Sequence, residues 1–194
     1  IDIFRSRRQD GKDKFHDYFY HNLGQTMDLT SVDGKPLGLK PTNELAFAGG
    51  HLYAYSYIHH KESAKTDLPV KASFSMKWPE EKHHVDMTMW MGGSHNREVF
   101  QSLSPANLEY ERLGDYIPYK VDEQPVLTFV ARQKGEAWTH PFVAVFEPSS
   151  KNHPSEIADV TFFTPTGKDA VGIKVVLKNG RTDYIFSAPE KTKM

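Results

Sequence analysis

Apolar and polar residues alternate along much of the chain with the period of two that marks a half-buried β-strand. The cleanest run is 70–78, where Val70, Ala72, Phe74, Met76 and Trp78 share one face and Lys71, Ser73, Ser75 and Lys77 the other. After a Pro79-Glu80-Glu81-Lys82 turn, 85–91 returns with Val85, Met87, Met89 and Met91 on one side. Runs 126–130 and 142–146 flank a polar break, Gln133-Lys134-Gly135-Glu136, and predict a hairpin in the middle of a sheet, closed by Pro125 and Pro148. Further strands are expected over 1–5, 15–23, 51–59, 159–164, 170–178 and 182–187. Asp33-Gly34 and Asn179-Gly180 supply tight-turn chemistry. Residues 92–119 are the least regular stretch and predict a long surface loop, and 189–194 a frayed tail. Nothing repeats the three-to-four-residue spacing of an amphipathic helix. The pattern predicts one antiparallel β-sandwich domain of about ten strands spanning residues 1–194.

Composition narrows the function classes. With 24 Lys+Arg against 25 Asp+Glu, no global field favours nucleic acid or an anionic membrane. The absence of cysteine removes disulfides, thiol catalysis and CxxC zinc sites. No apolar run approaches the roughly 20 residues a membrane helix needs. The opening Ile1-Asp2-Ile3-Phe4, without an initiator Met, reads like the middle of a strand, so the chain is expected to be a segment of a longer protein.

Candidate chemistry is sparse. Of ten histidines, His59-His60 and His83-His84 are adjacent pairs, and neighbours on a regular strand point to opposite faces, so no metal site is assigned. Tyr53, Tyr55 and Tyr57 share a face of the expected 51–59 strand. They suit either a platform for sugar rings or packing beneath another layer, and the mixed opposite face favours packing. The most site-like stretch is Gly92-Gly93-Ser94-His95-Asn96-Arg97-Glu98, where His95, Asn96 and Arg97 offer a titratable ring, an amide and a fixed cation suited to a uronate or sulfate; a plain hydrophilic loop is the alternative. Ser94 beside His95 makes no hydrolase triad, since no G-x-S-x-G elbow surrounds it. No catalytic residue is assigned.

Two stretches resemble a known family. Asp2, Phe4, Arg5, Gly11, His16, Asp17, Tyr18 and His21 follow the pattern D-hydrophobic-F-R, a Gly-containing turn and H-D-Y-x-x-H found near the start of the C-terminal β region of heparinase II/III-like proteins. Arg132, Gly135, Glu136, Phe146, Glu147 and Pro148 match that family's later R-x-x-G-E and F-E-P elements. The resemblance implies the C-terminal β-sheet domain of a periplasmic or secreted polysaccharide lyase that acts by β-elimination on acidic, uronate-containing glycans, with an N-terminal α/α toroid as its intramolecular partner. The family's Tyr, His and Asn catalysts and its zinc-binding histidines lie outside the matched segments, so none is carried onto this chain, and no cofactor is expected in it. The expected role is structural or glycan-contacting. An accessory carbohydrate-binding or purely structural module, with no lyase role, is the alternative.

Overall fold

The computed structural model describes residues 1–46, 55–77, 84–106, 124–165 and 169–189. Among them are thirteen strands: β1 (Asp2–Ser6), β2 (Phe15–Asn22), β3 (Thr26–Ser31), β4 (Lys40–Pro41), β5 (His59–Lys65), β6 (Val70–Lys77), β7 (His84–Met91), β8 (Arg97–Ser104), β9 (Val126–Lys134), β10 (Ala137–Ser150), β11 (Ile157–Phe163), β12 (Val171–Leu177) and β13 (Thr182–Ser187). They form three antiparallel sheets: sheet 1 in the order β1-β10-β7-β6-β3, sheet 2 in the order β2-β9-β8-β5-β4, and sheet 3 in the order β11-β12-β13. The all-β sandwich expected from the alternation is therefore present, with a third layer added.

Alternation decides which side chains fill each layer. Phe74, Met89, Met91, Phe142 and Ala144 of sheet 1 meet Tyr18, Val99, Leu127, Phe129 and Ala131 of sheet 2 in the main core. The intervening residues of β7 and β10, Trp90, Val143 and Val145, point the other way and pack on Val160, Ile173 and Val175 of sheet 3. Sheet 1 is thus covered on both faces where β7 and β10 pair, which is why 142–146 reads as continuously apolar. The far face of sheet 2 carries Phe19, Phe100 and Val130 beneath Leu45 and Tyr55.

Runs 126–130 and 142–146 do not pair with each other. β9 lies between β2 and β8 in sheet 2, and β10 between β1 and β7 in sheet 1, so the polar break is an arch that carries the chain across the sandwich. Its sequence looks like a hairpin because an arch needs the same turn chemistry, here Gly135 at φ +80°. What differs is where the buried polar groups point: Gln133 directs its amide across the gap, donating to the carbonyls of Glu136 (2.8 Å) and His140 (2.9 Å). Pro148 lies within β10, beyond the last residue that β1 pairs, where that strand has a neighbour on one side only.

Two other expectations change. The 92–119 stretch opens with β8, an interior strand of sheet 2 whose Val99 and Phe100 are wholly buried. Buried polar residues in it (Arg97 and Ser102) blur the alternation. Within 51–59, residues 55–57 form a 3₁₀ turn rather than a strand, and β5 begins only at His59. Both tight turns form as expected, with Gly34 donating to the Ser31 carbonyl and Gly180 to that of Leu177. The 79–82 turn, residues 107–119 and most of the tail lie outside the described residues.

Phe142 sits at the junction of these layers, fully buried, stacked on Tyr18 at 5.7 Å and beside Phe4 at 6.3 Å. Phe142→Ala is expected to cost about 3–5 kcal/mol in urea unfolding, because the cavity cannot collapse between two sheets. Phe4→Ala, at a ring 44% exposed, should cost about 1 kcal/mol or less. Equal losses would show that the layers repack freely around position 142.

Candidate functional site

The stretch singled out in the sequence lies where the chain passes from β7 in sheet 1 to β8 in sheet 2. Gly93 lets this crossing pack against the β5–β6 loop: a Cβ there would stand 2.1 Å from the Asp67 carbonyl oxygen and 2.8 Å from the Leu68 carbonyl carbon. Asp67 then ties the two loops together. Its carboxylate accepts the Asn96 backbone N–H (3.2 Å) and lies 3.1 Å from His95 Nδ1. Asn96 holds φ at +58°, a conformation that Asn tolerates better than most side chains, so its residue type answers a backbone demand.

The expected trio does not converge. His95 is exposed and Asn96 turns the backbone, while Arg97 points inward and is 2% exposed. Its guanidinium donates to the carbonyl of Gly92 and to Oε1 of Gln133 (2.7 Å), and lies 4.8 Å from the centre of the Phe142 ring. No carboxylate pairs with it among the described residues. Burial pushes the group down to about 10, still a cation at neutral pH. The expectation of a surface cation for a uronate or sulfate is therefore replaced at Arg97 by a structural cation that joins the loop, the arch and the core.

The tyrosine stripe is also dispersed. Tyr53 lies outside the described residues. Tyr55 packs edge-on against Phe19 and donates to Asp17 Oδ2 at 2.7 Å, and its phenol is raised by burial and by that carboxylate. Tyr57 is exposed. A 3₁₀ turn, unlike a strand, does not place alternate residues on one face. His59 and His60, expected to diverge, meet with their Nδ1 atoms 2.7 Å apart, because His60 adopts φ +49° where the β5–β8 register shifts. No third metal-ligating side chain joins them among the described residues.

Two concavities flank the loop pair. One, a cleft of about 400 Å³ between sheets 1 and 3, is lined by Asp67, Gly92–His95, Thr139, His140, Phe162, Phe163, Asp169 and Gly172. The other, a groove of about 520 Å³ on the outer face of sheet 2, is lined by Lys65, Leu68, Asn96, Glu98, Arg132 and Lys134. Its floor is a cross-strand row of alternating sign, Lys65–Glu98–Arg132–Asp17. Arg132 makes a forked pair with Asp17, both bonds 2.8 Å, and lies over the Phe15 ring. That hydrogen bond raises the Arg132 guanidinium above its ordinary value. Lys65 and Lys134 remain without a carboxylate partner among the described residues.

Chemically, the cleft offers imidazoles and carboxylates, and the described residues that line it include no Lys or Arg. Asp67, His140, Asp169 and the phenylalanines of β11 escaped the sequence reading, because loops distant along the chain assemble the cleft. A signal was present in β11, where Phe162 and Phe163 occupy both parities of the alternation.

No family model matches the chain. It is similar to an endo-acting ulvan lyase of Formosa agariphila, 33% identical over 198 residues, which covers 98% of this chain and 22% of that protein. The chain is related to part of a polysaccharide lyase. It spans about a fifth of the length of that relative.

Arg97→Ala should destabilise the protein by about 2–4 kcal/mol: it sheds a buried charge but strands two acceptors, Gly92 O and Gln133 Oε1, and opens a cavity. Arg97→Met also sheds the charge but keeps the volume, and should lie nearer the parent in urea titration. Equal losses in the two variants would mean that hydrogen bonding outweighs packing at this site.

Proposed function

We propose that this chain is a β domain of a polysaccharide lyase-like protein that acts by β-elimination on uronate-containing glycans, and that the domain plays a structural or glycan-contacting part rather than performing the chemistry. The observation that carries the reading is the similarity to an ulvan lyase along 98% of the chain. The heparinase II/III-like pattern adds an N-terminal α/α toroid as the expected neighbour. Endo-action on a polymer too large to enter a cell favours export to the periplasm or the medium.

The geometry supports a supporting role. β-Elimination needs a base at the proton next to the uronate carboxylate, neutralisation of that carboxylate, and an acid for the leaving oxygen. His95, oriented by Asp67, is a candidate proton acceptor, but it sits at 86% side-chain exposure in a cleft whose described lining supplies no cation. The lysines lie on the other side of the loop pair, in the sheet 2 groove. Among the described residues, base and cation therefore do not face one ligand. The sheet 2 groove, where Lys65 and Lys134 make no ion pair among the described residues, is better suited to holding an acidic strand than to cutting it.

The chain alone, incubated with ulvan, heparan sulfate, hyaluronan, chondroitin and alginate, is expected to yield no ultraviolet-absorbing unsaturated product. Turnover that survives repurification and disappears on His95→Ala would instead place a complete active site in this chain.

A further inference from the structure

We propose that the outer face of sheet 3 is a binding surface for an acidic polysaccharide, in which Phe163, Tyr184 and Phe186 stack on sugar rings and Lys174 pairs with a uronate carboxylate. Sheet 3 buries Ile173, Val175 and Ile185 against sheet 1, so the strand period turns Gly172, Lys174, Tyr184 and Phe186 outward. Three large aromatic residues then stand on one small face: Phe163 is 36% exposed, Tyr184 59% and Phe186 60%. Single exposed apolar residues are ordinary, whereas a contiguous cluster marks a surface that meets something.

The strand register builds the surface. Gly172 pairs with Phe163 on one side and Phe186 on the other. A Cβ at Gly172 would lie 2.4 Å from the Phe163 ring, so only glycine lets that ring settle across the central strand. Phe186 meets Phe163 edge to face at 5.7 Å, which fixes both rings. One row along, Lys174 pairs across the strands with Tyr184 and has no carboxylate partner among the described residues. Rigid apolar rings beside an unneutralised cation complement a sugar that has an apolar C–H face and a carboxylate. Phe163 and Gly172 also line the cleft between sheets 1 and 3, so the surface continues to the loop end.

The choice of ligand rests on the proposed function, and the test separates the two. The protein would be titrated with hexa-galacturonate and with neutral cellohexaose by calorimetry. Hexa-galacturonate should bind, Tyr184→Ala/Phe186→Ala should lose about tenfold or more of that affinity, and Lys174→Ala should lose about two- to fivefold for the acidic ligand alone. Melting temperatures should fall by no more than about a few degrees, since all three side chains face outward and only the Phe163–Phe186 ring contact is lost. Undiminished binding in the aromatic double variant, with loss in Lys65→Ala/Lys134→Ala, would move the glycan to the sheet 2 groove and overturn this inference while leaving the glycan-contacting function intact. No binding by the parent protein, or protection of Tyr184 from hydroxyl-radical footprinting by neighbouring domains of the full-length protein without glycan, would overturn it as well. The lyase relationship is judged by the separate product assay.

Discussion

A buried arginine without a carboxylate partner among the described residues is the constraint on which the loop end depends. Carrying a cation into the interior costs several kcal/mol unless its donors are met. Arg97 offsets part of that cost with two neutral acceptors and an aromatic face rather than an anion, while its Nε–H has no hydrogen-bond partner among the described residues. Those partners come from three places: Gly92 directly follows β7, Gln133 is the penultimate residue of β9, and Phe142 belongs to β10. Gln133 in turn spends its amide protons on the Glu136 and His140 carbonyls. One side chain thus fixes the crossing from sheet 1 to sheet 2 and the arch that returns from sheet 2 to sheet 1. The position of Asp67 against His95 and Asn96, and hence the separation of cleft from groove, follows from that arrangement.

The motif residues that carry the family resemblance also act as joints. Asp17 and Arg132 form the forked pair between β2 and β9, and the Tyr18 hydroxyl donates to Asp2, which links sheets 2 and 1. Glu136 accepts the backbone N–H groups of Trp138 and Thr139 and closes the arch. Arg5 donates to the carbonyls of Trp138 and Ser187, and Glu147 accepts from Ser155, Glu156 and Ile157, so the two hold opposite ends of sheet 3. None of the motif residues themselves lines the cleft. Polar residues in such motifs can therefore mark an architecture rather than a reaction.

Legibility in the sequence followed burial. Strands with one wet face, such as β6 and β12, are visible because alternation reports a single buried side. β8 is hidden because Arg97 and Ser102 are polar yet interior. The false hairpin has another cause: a turn and an arch share local chemistry, and only long-range partners distinguish them. Site residues were hardest to see. His95 and Asn96 stand out in the sequence because they are polar and clustered, but the inward turn of Arg97 depends on Gln133, thirty-six residues away. The tyrosine stripe assumed a strand where the chain makes a 3₁₀ turn.

The three-layer stack explains why aromatic residues are exposed where they are. Sheet 1 is covered by sheet 2 on one face and sheet 3 on the other, and the outer face of sheet 2 is capped in part by Leu45 and Tyr55. Sheet 3 has no such cap among the described residues. A three-stranded sheet packed on one side needs apolar residues only at alternate positions, and Lys174, Thr161 and Asp159 on its outer rows show that polar side chains are accommodated there. Phe163, Tyr184 and Phe186 therefore do little for the packing of sheet 3 on sheet 1. Gly172 sharpens the point, since a central-strand glycine weakens the sheet and is compensated only by the ring that lies over it. Stability alone would favour a larger residue at 172 and polar ones at 184 and 186. The arrangement makes physical sense when the face is built to meet a ligand.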